Sequence, residues 1–338
     1  MWSEDDVSFM RRAIEVAERG RGRVSPNPLV GCVLVKNGEI IAEGWHDHLG
    51  GLHAEQMAIA DAEAKGVSPN GASAYVTLEP CNHYGRTPPC TQALLWAGVK
   101  DVTIACGDPN PTVRGQGCTV LQEANVATRT GLLAEEAAKQ MDGFLHWCAH
   151  RKPIVTLKIA VDAQGSVDDR AEQAQRFTSE ACLDEVHKLR KNCDAILVGV
   201  ETVIRDDPSL TIRRVESERQ PLRVVIDPNS RIPENCKLLN DGYETMVLQS
   251  DFHGLEDLLV RLGDMEIQRL LVEGGPFTAK QFLQEKLVDE CYFVESEMLH
   301  SQPFLSGIDY ELIQSSNLKL TSQFQWGKEK VSYFSKIK

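Results

Sequence analysis

The chain has 338 residues, a hydrophobic share of 42%, a charged share of 25% and a formal net charge of -13. That length is long for one core and predicts two domains. The acidic balance argues against nucleic-acid binding built on phosphate contacts, which needs clustered Lys and Arg, but leaves room for a small local phosphate pocket. No apolar run approaches a membrane span, and the start Met1-Trp2-Ser3-Glu4-Asp5-Asp6 lacks the basic and apolar regions of a signal peptide. The ten Cys are scattered rather than grouped as a disulfide framework, which points to a reducing, cytoplasmic compartment. Cys32, Cys106, Cys193 and Cys291 fall in apolar runs and are expected as core thiols.

From Asp5 to Arg19, apolar Val7, Met10, Ile14 and Ala17 recur at helical spacing, and Gly20 is a natural stop. Two strand-like runs, 29–35 and 39–44, meet at Asn37-Gly38, the strongest short hairpin signal. Residues 53–65 read as a helix with His53 and Glu55 in its first turn, where partial positive charge favours an ionised carboxylate. A buried strand over 73–78 ends at Glu79-Pro80-Cys81. Pro88 and Pro89 then suit the start of a helix that runs to Gly98, with Cys90 in its first turn. A strand over 102–106, a helix over 116–124, a strand over 126–130 and a helix over 134–147 follow. This alternation implies a three-layer α/β domain.

Within that domain, His53-Ala54-Glu55 and the run Pro80-Cys81-Asn82-His83-Tyr84-Gly85-Arg86-Thr87-Pro88-Pro89-Cys90 carry chemistry. One His and two Cys are the ligand set of a catalytic zinc site that keeps a fourth position for water, and Glu55 stands where a proton carrier is needed. His-x-Glu followed by Pro-Cys and a second Cys is the pattern of zinc deaminases acting on nucleobases, here stretched because eight residues separate Cys81 from Cys90. The plainer alternative is a solvated His-x-Glu pair and two core thiols. A structural zinc site would want a fourth protein ligand, for which only His83 is nearby.

The basic stretch His150-Arg151-Lys152-Pro153 reads as a linker, giving domains over 1–149 and 153–338. The second domain opens with a strand over 154–161. It continues with a helix over 179–192, a buried strand over 194–200 and a loop over 201–208. Strands follow at 222–226 and 245–248, a helix at 255–262, and a strand at 269–272 that runs into Glu273-Gly274-Gly275-Pro276. Strands at 288–295 and 330–334 complete a sheet. Strand, two glycines and helix can bring backbone N–H groups to a phosphate, although such a pair is more often a simple turn.

The segments SPNPLVGCVLVKNGEIIAEGWH and TLEPCNHYGRTPPC resemble the deaminase half of the bifunctional riboflavin-biosynthesis deaminase/reductase family. VTLKIAV, DAILVGVETVIRDDPSLTIR and LLVEGGP are similar to its reductase half, so the resemblance spans nearly the whole chain. It implies a cytidine-deaminase-like three-layer α/β domain followed by a dihydrofolate-reductase-like domain. The implied chemistry is zinc-dependent hydrolytic deamination of 2,5-diamino-6-(ribosylamino)-4(3H)-pyrimidinone 5′-phosphate, then NADPH-dependent reduction of the ribosyl group to ribityl. The resemblance makes His53, Cys81 and Cys90 the Zn²⁺ ligands and Glu55 the acid/base. Asn27 and His46 contact the pyrimidine substrate and Arg86 its phosphate. In the second half, Lys158, Arg190, Leu210, Arg213 and Glu273 line the substrate, and Ala160, Thr202, Asp206, Gly274 and Gly275 line NADPH.

Two stretches depart from the family pattern. Its Ser-Leu-Asp-Gly is here Asp162-Ala163-Gln164-Gly165, and its Ser-x-Trp-Ile-Thr is Ala174-Gln175-Arg176-Phe177-Thr178. Loss of a ring-packing Trp predicts weaker cofactor binding, and Asp162 would repel a phosphate if it faced one. The other classes that share parts of the pattern are a tRNA or single-strand nucleic-acid deaminase, a deaminase with a degenerate reductase domain, and a zinc-stabilised scaffold. The expected partner is the small phosphorylated pyrimidine, with neither nucleic acid nor membrane; assembly into a homo-oligomer stays open.

Overall fold

The computed structural model describes residues 2–84, 88–110, 116–171 and 177–336. The chain divides into two compact units, Met1–His150 and Arg151–Lys338. The first contains α1 (Glu4–Ala17), β1 (Gly31–Lys36), β2 (Glu39–Trp45), α2 (Ala54–Ala64), β3 (Ser73–Leu78) and α3 (Cys90–Trp96). It continues with β4 (Asp101–Cys106), α4 (Gln116–Glu123), β5 (Ala127–Thr130), α5 (Ala134–Gln140) and α6 (Asp142–His150).

The strands form one sheet in the order β2-β1-β3-β4-β5. β1 is antiparallel to β2 and β3, whereas β3, β4 and β5 run parallel. The hairpin turns at Asn37 (φ 54°) and Gly38 (φ 79°), both left-handed as a two-residue type I′ turn requires. Side chains alternate across the sheet. Cys32, Leu34, Ala74 and Val76 face Ala54, Ala58 and Ala62 of α2 and Leu94 of α3. Val33, Val35 and Tyr75 face Met10, Ala13 and Val16 of α1 and Ala137 of α5. This is the expected three-layer arrangement.

The small residues along α2 let it lie directly on the sheet. A Cβ on Gly44 of β2 would come within 2.2 Å of the Ala54 carbonyl oxygen and of the Ala58 backbone nitrogen. Only glycine permits that approach, and it sets where the start of α2 stands.

The second unit contains β6 (Ile154–Val161), β7 (Ser166–Asp168), α7 (Glu180–Lys191), β8 (Ala195–Gly199), α8 (Val200–Asp206), β9 (Leu222–Ile226), α9 (Lys237–Asn240) and β10 (Thr245–Leu248). It continues with α10 (Leu255–Asp264), β11 (Arg269–Val272), α11 (Pro276–Gln284), β12 (Glu290–Glu295), β13 (Phe304–Leu305), α12 (Tyr310–Ser315), β14 (Leu318–Trp326) and β15 (Glu329–Lys336). Eight strands form a sheet in the order β10-β9-β8-β11-β6-β12-β15-β14, and β13 pairs with β7 separately. The pairs from β10 to β12 are parallel, and β15 and β14 close the sheet antiparallel. One face packs on Leu255, Leu258, Leu259 and Leu262 of α10 and on Phe282 and Leu283 of α11. The other packs on α7 and α8 through Val186, Leu189, Val200 and Val203.

Some elements differ from expectation. The stretch 201–208, expected as a loop, is mostly α8. Buried Val200 and Val203 lie one turn apart, and Asp207 ends the helix at φ 40° just before Pro208. The helix expected over 134–147 breaks at Met141 (φ −112°, ψ 26°) into α5 and α6. Strand β14 was not expected, because seven consecutive positions between its buried ends, Leu318 and Trp326, are exposed and carry no alternation. Cys32, Cys193 and Cys291 are core thiols as expected, whereas Cys106 is only partly buried. Among the described residues, no helix is long and apolar enough to cross a membrane.

Gly44→Ala is expected to destabilise the first unit by about 1–3 kcal/mol, because the overlap is with helix backbone and not with a movable side chain. Urea unfolding tests this, and an unchanged midpoint would show that α2 does not depend on the close approach.

Candidate active site

Three separate segments converge in the first unit. His53 immediately precedes α2, Cys81 lies three residues beyond the end of β3, and Cys90 opens α3. Their ligand atoms all lie within 4.8 Å of one another. His53 Nδ1 is 3.6 Å from Cys81 Sγ and 3.3 Å from Cys90 Sγ. Backbone contacts hold the set in place: Cys90 N–H points at Cys81 Sγ (3.5 Å), Thr91 N–H donates to Cys81 O (3.2 Å), and Gln56 Oε1 accepts from His53 N–H (3.2 Å).

Two thiols and an imidazole packed this closely redistribute their protons. The hydrogen bond with Cys90, and then that with His53, brings the Cys81 thiol down to about 4 despite burial. The same bond, with burial, pushes Cys90 up, and the Cys81 thiolate raises His53. A ready thiolate, a second thiol and an imidazole within contact distance are suited to a thiophilic divalent cation. His83, considered above as a fourth ligand, is exposed and not in this cluster.

Glu55, the second residue of α2, is 3% exposed. Burial, followed by the Cys81 thiolate, pushes its carboxyl up to about 7. It lines a cleft of about 530 Å³ together with His53, Cys81, Asn27 and His46. The His46 ring is 3.0 Å from Asn27 Nδ2 through Nε2 and 2.9 Å from Leu52 O through Nδ1. A carbonyl can only accept, so the network assigns the proton to Nδ1 and leaves Nε2 to accept from Asn27. Burial keeps the ring below its usual range and therefore neutral.

The cleft also contains Asp108 and Asn110, which sequence reasoning did not select. A signal was present. Parallel pairing of β3 and β4 puts the residues after Cys106 beside those after Leu78, so Asp108-Pro109-Asn110 had to open on the same edge. Arg86 lies outside the described residues.

In the second unit, Lys158 of β6, Arg190 of α7 and Glu273 after β11 meet. Arg190 Nε and Nη2 donate to the two carboxylate oxygens of Glu273 at 2.6 and 3.1 Å, and Lys158 Nζ is 3.6 Å away. Burial alone would raise Glu273, but the charges of Arg190 and Lys158 outweigh it and hold the carboxyl at about 2. Arg190 Nη1 donates to Thr211 O at 3.1 Å, which ties the segment bearing Leu210 and Arg213 to this group. Leu210 is 3% exposed and packs in the core with Val200 and Val203, so a ligand there would meet its backbone rather than its side chain.

Ala160 follows Lys158 on the same face of β6. Gly275 N–H donates to Thr202 Oγ1 at 3.2 Å, which links the glycine turn to α8. A Cβ on Gly274 would fall 2.8 Å from Thr278 Cβ, so glycine lets the turn fold onto α11. Asp206 ends α8, its carboxyl raised by burial and by nearby Asp168. Asp162 is buried and engaged by its own turn and by His300. Its Oδ1 accepts from Gln164 N–H (2.9 Å) and Ser166 N–H (2.8 Å), and its Oδ2 from His300 N–H (2.8 Å). Ala174, Gln175 and Arg176 lie outside the described residues.

A family model described as the cytidine and deoxycytidylate deaminase zinc-binding region matches residues 3–106, and one described as the RibD C-terminal domain matches residues 153–319. The chain is 37% identical over 311 residues to the riboflavin biosynthesis protein RibD of Aquifex aeolicus, covering 86% of each chain. Among solved structures, Acinetobacter baumannii RibD superposes with a TM-score of 0.90 at 34% identity over 99% of both chains. A diaminohydroxyphosphoribosylaminopyrimidine deaminase/5-amino-6-(5-phosphoribosylamino)uracil reductase from Thermotoga maritima superposes with a TM-score of 0.88 at 33% identity, over 98% of this chain and 99% of the other. With relatives this similar along most of its length and both domain families matched in order, the chain belongs to the RibD family of bifunctional riboflavin-biosynthesis deaminase/reductases.

Proposed function

We propose that the first unit deaminates 2,5-diamino-6-(ribosylamino)-4(3H)-pyrimidinone 5′-phosphate and that the second reduces the ribosyl group of the product to ribityl with NADPH. The observation that carries the first half is the convergence of His53, Cys81 and Cys90 beside a buried carboxyl at one end of a cleft. These three residues would hold Zn²⁺, and the metal when bound supplies Lewis acidity towards water. Glu55 takes one proton from the attacking water and passes it to the ring nitrogen; it then takes the remaining hydroxyl proton and passes it to the amino group, so that the C–N bond breaks, ammonia leaves and the new C–O bond becomes a carbonyl. A buried carboxyl, raised by burial above the ordinary carboxylate range, suits both directions of that transfer. His46 and Asn27 orient the pyrimidine through a fixed, neutral hydrogen-bond pair, and Arg86 is assigned to the phosphate by resemblance.

In the second unit, Lys158, Arg190 and Glu273 are the polar group that positions the sugar, with Arg213 and the backbone at Leu210 beside them. Ala160, Thr202, Asp206, Gly274 and Gly275 are assigned to NADPH, which supplies the hydride. The Asp162 carboxylate accepts from three backbone N–H groups and stands 3.1 Å from His300 Nδ1, so its oxygens are engaged within its own turn and with His300. The acidic net charge supports a small-molecule substrate over a nucleic acid. Ten free cysteines are consistent with a reducing, cytoplasmic setting.

Purified protein is expected to carry one zinc per chain and Cys81→Ser to lose it, read by elemental analysis. Full zinc content and full ammonia release in that variant would refute the ligand set. Glu55→Gln is expected to retain fold and zinc while ammonia release falls at least about 10²-fold; near-normal turnover would mean that another residue moves the proton. Lys158→Ala should abolish NADPH oxidation with the deaminated substrate supplied directly and leave ammonia release intact. Equal loss of both activities would contradict the separate assignment of the two sites.

A further inference from the structure

The segment 209–213 lies outside any helix or strand, yet its backbone is gripped at nearly every residue by side chains. Arg223 Nη1 donates to Ser209 O (3.1 Å) and Arg190 Nη1 to Thr211 O (3.1 Å). Gln220 clasps Ile212 on both sides, accepting from its N–H (2.6 Å) and donating to its carbonyl (3.0 Å). The last grip is His187 Nδ1, which accepts from Arg213 N–H at 3.1 Å.

His187 is 0% exposed. To accept at Nδ1, a neutral ring must carry its proton on Nε2, and that buried Nε2 has no partner among the described residues. The ring is held neutral in turn. Burial, then repulsion from Arg190 and Arg213, brings it down to about 4. His187 and Arg190 are one turn apart on α7 and so share a face. From that face they hold Arg213 N–H and Thr211 O, two residues apart, while Arg190 also holds Glu273.

We infer that His187 is a positioning residue for the reductase substrate site: through its Nδ1 hydrogen bond to Arg213 N–H it fixes the segment 210–213 relative to Glu273 and Lys158. The inference rests on the reading that this segment faces the substrate. A buried histidine used only as apolar filler would not need an acceptor there, and leucine could replace it. As a clamp it needs an acceptor at the Nδ1 position, which asparagine can supply and leucine cannot.

The test compares His187→Leu and His187→Asn in the full chain. In hydrogen exchange read by mass spectrometry, peptides covering 209–213 should exchange about tenfold faster in His187→Leu and near the wild-type rate in His187→Asn, the scale of losing one buried hydrogen bond. In the reductase assay, KM for the deaminated substrate should rise about tenfold in His187→Leu with kcat little changed, the signature of lost uniform binding. The asparagine variant should recover it, and KM for NADPH and ammonia release should not move. Unchanged exchange in His187→Leu, or an asparagine variant as impaired as the leucine one, would overturn the inference. Faster exchange in His187→Leu alongside an unaltered KM would instead locate the failure in the reading of the segment as substrate-facing.

Discussion

The candidate deaminase site depends on how closely α2 lies on β2. His53 and Glu55 come from the start of a helix, Cys81 from the loop after a strand and Cys90 from the next helix, so no local rule brings them together. Gly44 allows the Ala54 and Ala58 backbone to rest against the strand, and small side chains along α2 continue the contact. That approach lowers the helix start onto the edge where β3 ends. The parallel pairing of β3 with β4 then adds Asp108 and Asn110 from the neighbouring strand end. Ligand chemistry and cleft follow from backbone packing, because interiors at crystal-like density transmit small displacements.

The second unit solves a different problem, that of keeping charges in a dry place. A lone Glu273 in that setting would protonate, and a lone Arg190 would be costly to bury. Paired in a two-pronged geometry, each makes the other tolerable. The pair is also the junction of three segments: Arg190 reaches Thr211, Lys158 approaches from β6, and Gly275 continues the turn after Glu273 to Thr202. Asp162 follows the same logic on a smaller scale. Its oxygens take backbone N–H groups from its own turn and from His300, which keep its charge solvated by the fold.

Much of this was legible in the sequence where a residue has one physical reason to be where it is. Asn37-Gly38 specified a hairpin because both residues tolerate a left-handed backbone. The pattern of His53, Cys81 and Cys90 pointed to one cluster, and their ligand atoms lie within 4.8 Å of one another. Legibility failed where the deciding contacts are long-range. Asp108 and Asn110 reach the cleft only through strand pairing, and nothing in the helical pattern around His187 signals that Arg213 N–H lies against it. The exposed β14 hid because a strand without a buried face has no alternation to read. Leu210, assigned by resemblance to the substrate lining, has a left-handed backbone (φ 52°) and a side chain packed in the core, which leaves its backbone for the lining.

The central claim is that His53, Cys81 and Cys90 form a three-residue zinc site that keeps an open position beside Glu55. X-ray absorption at the zinc edge of the purified, unliganded enzyme tests it most directly. The account predicts two sulfur neighbours at about 2.3 Å and two lighter neighbours, one from imidazole and one from solvent, at about 2.0–2.1 Å. A shell of four protein ligands with no exchangeable position, or a shell without sulfur, would contradict it.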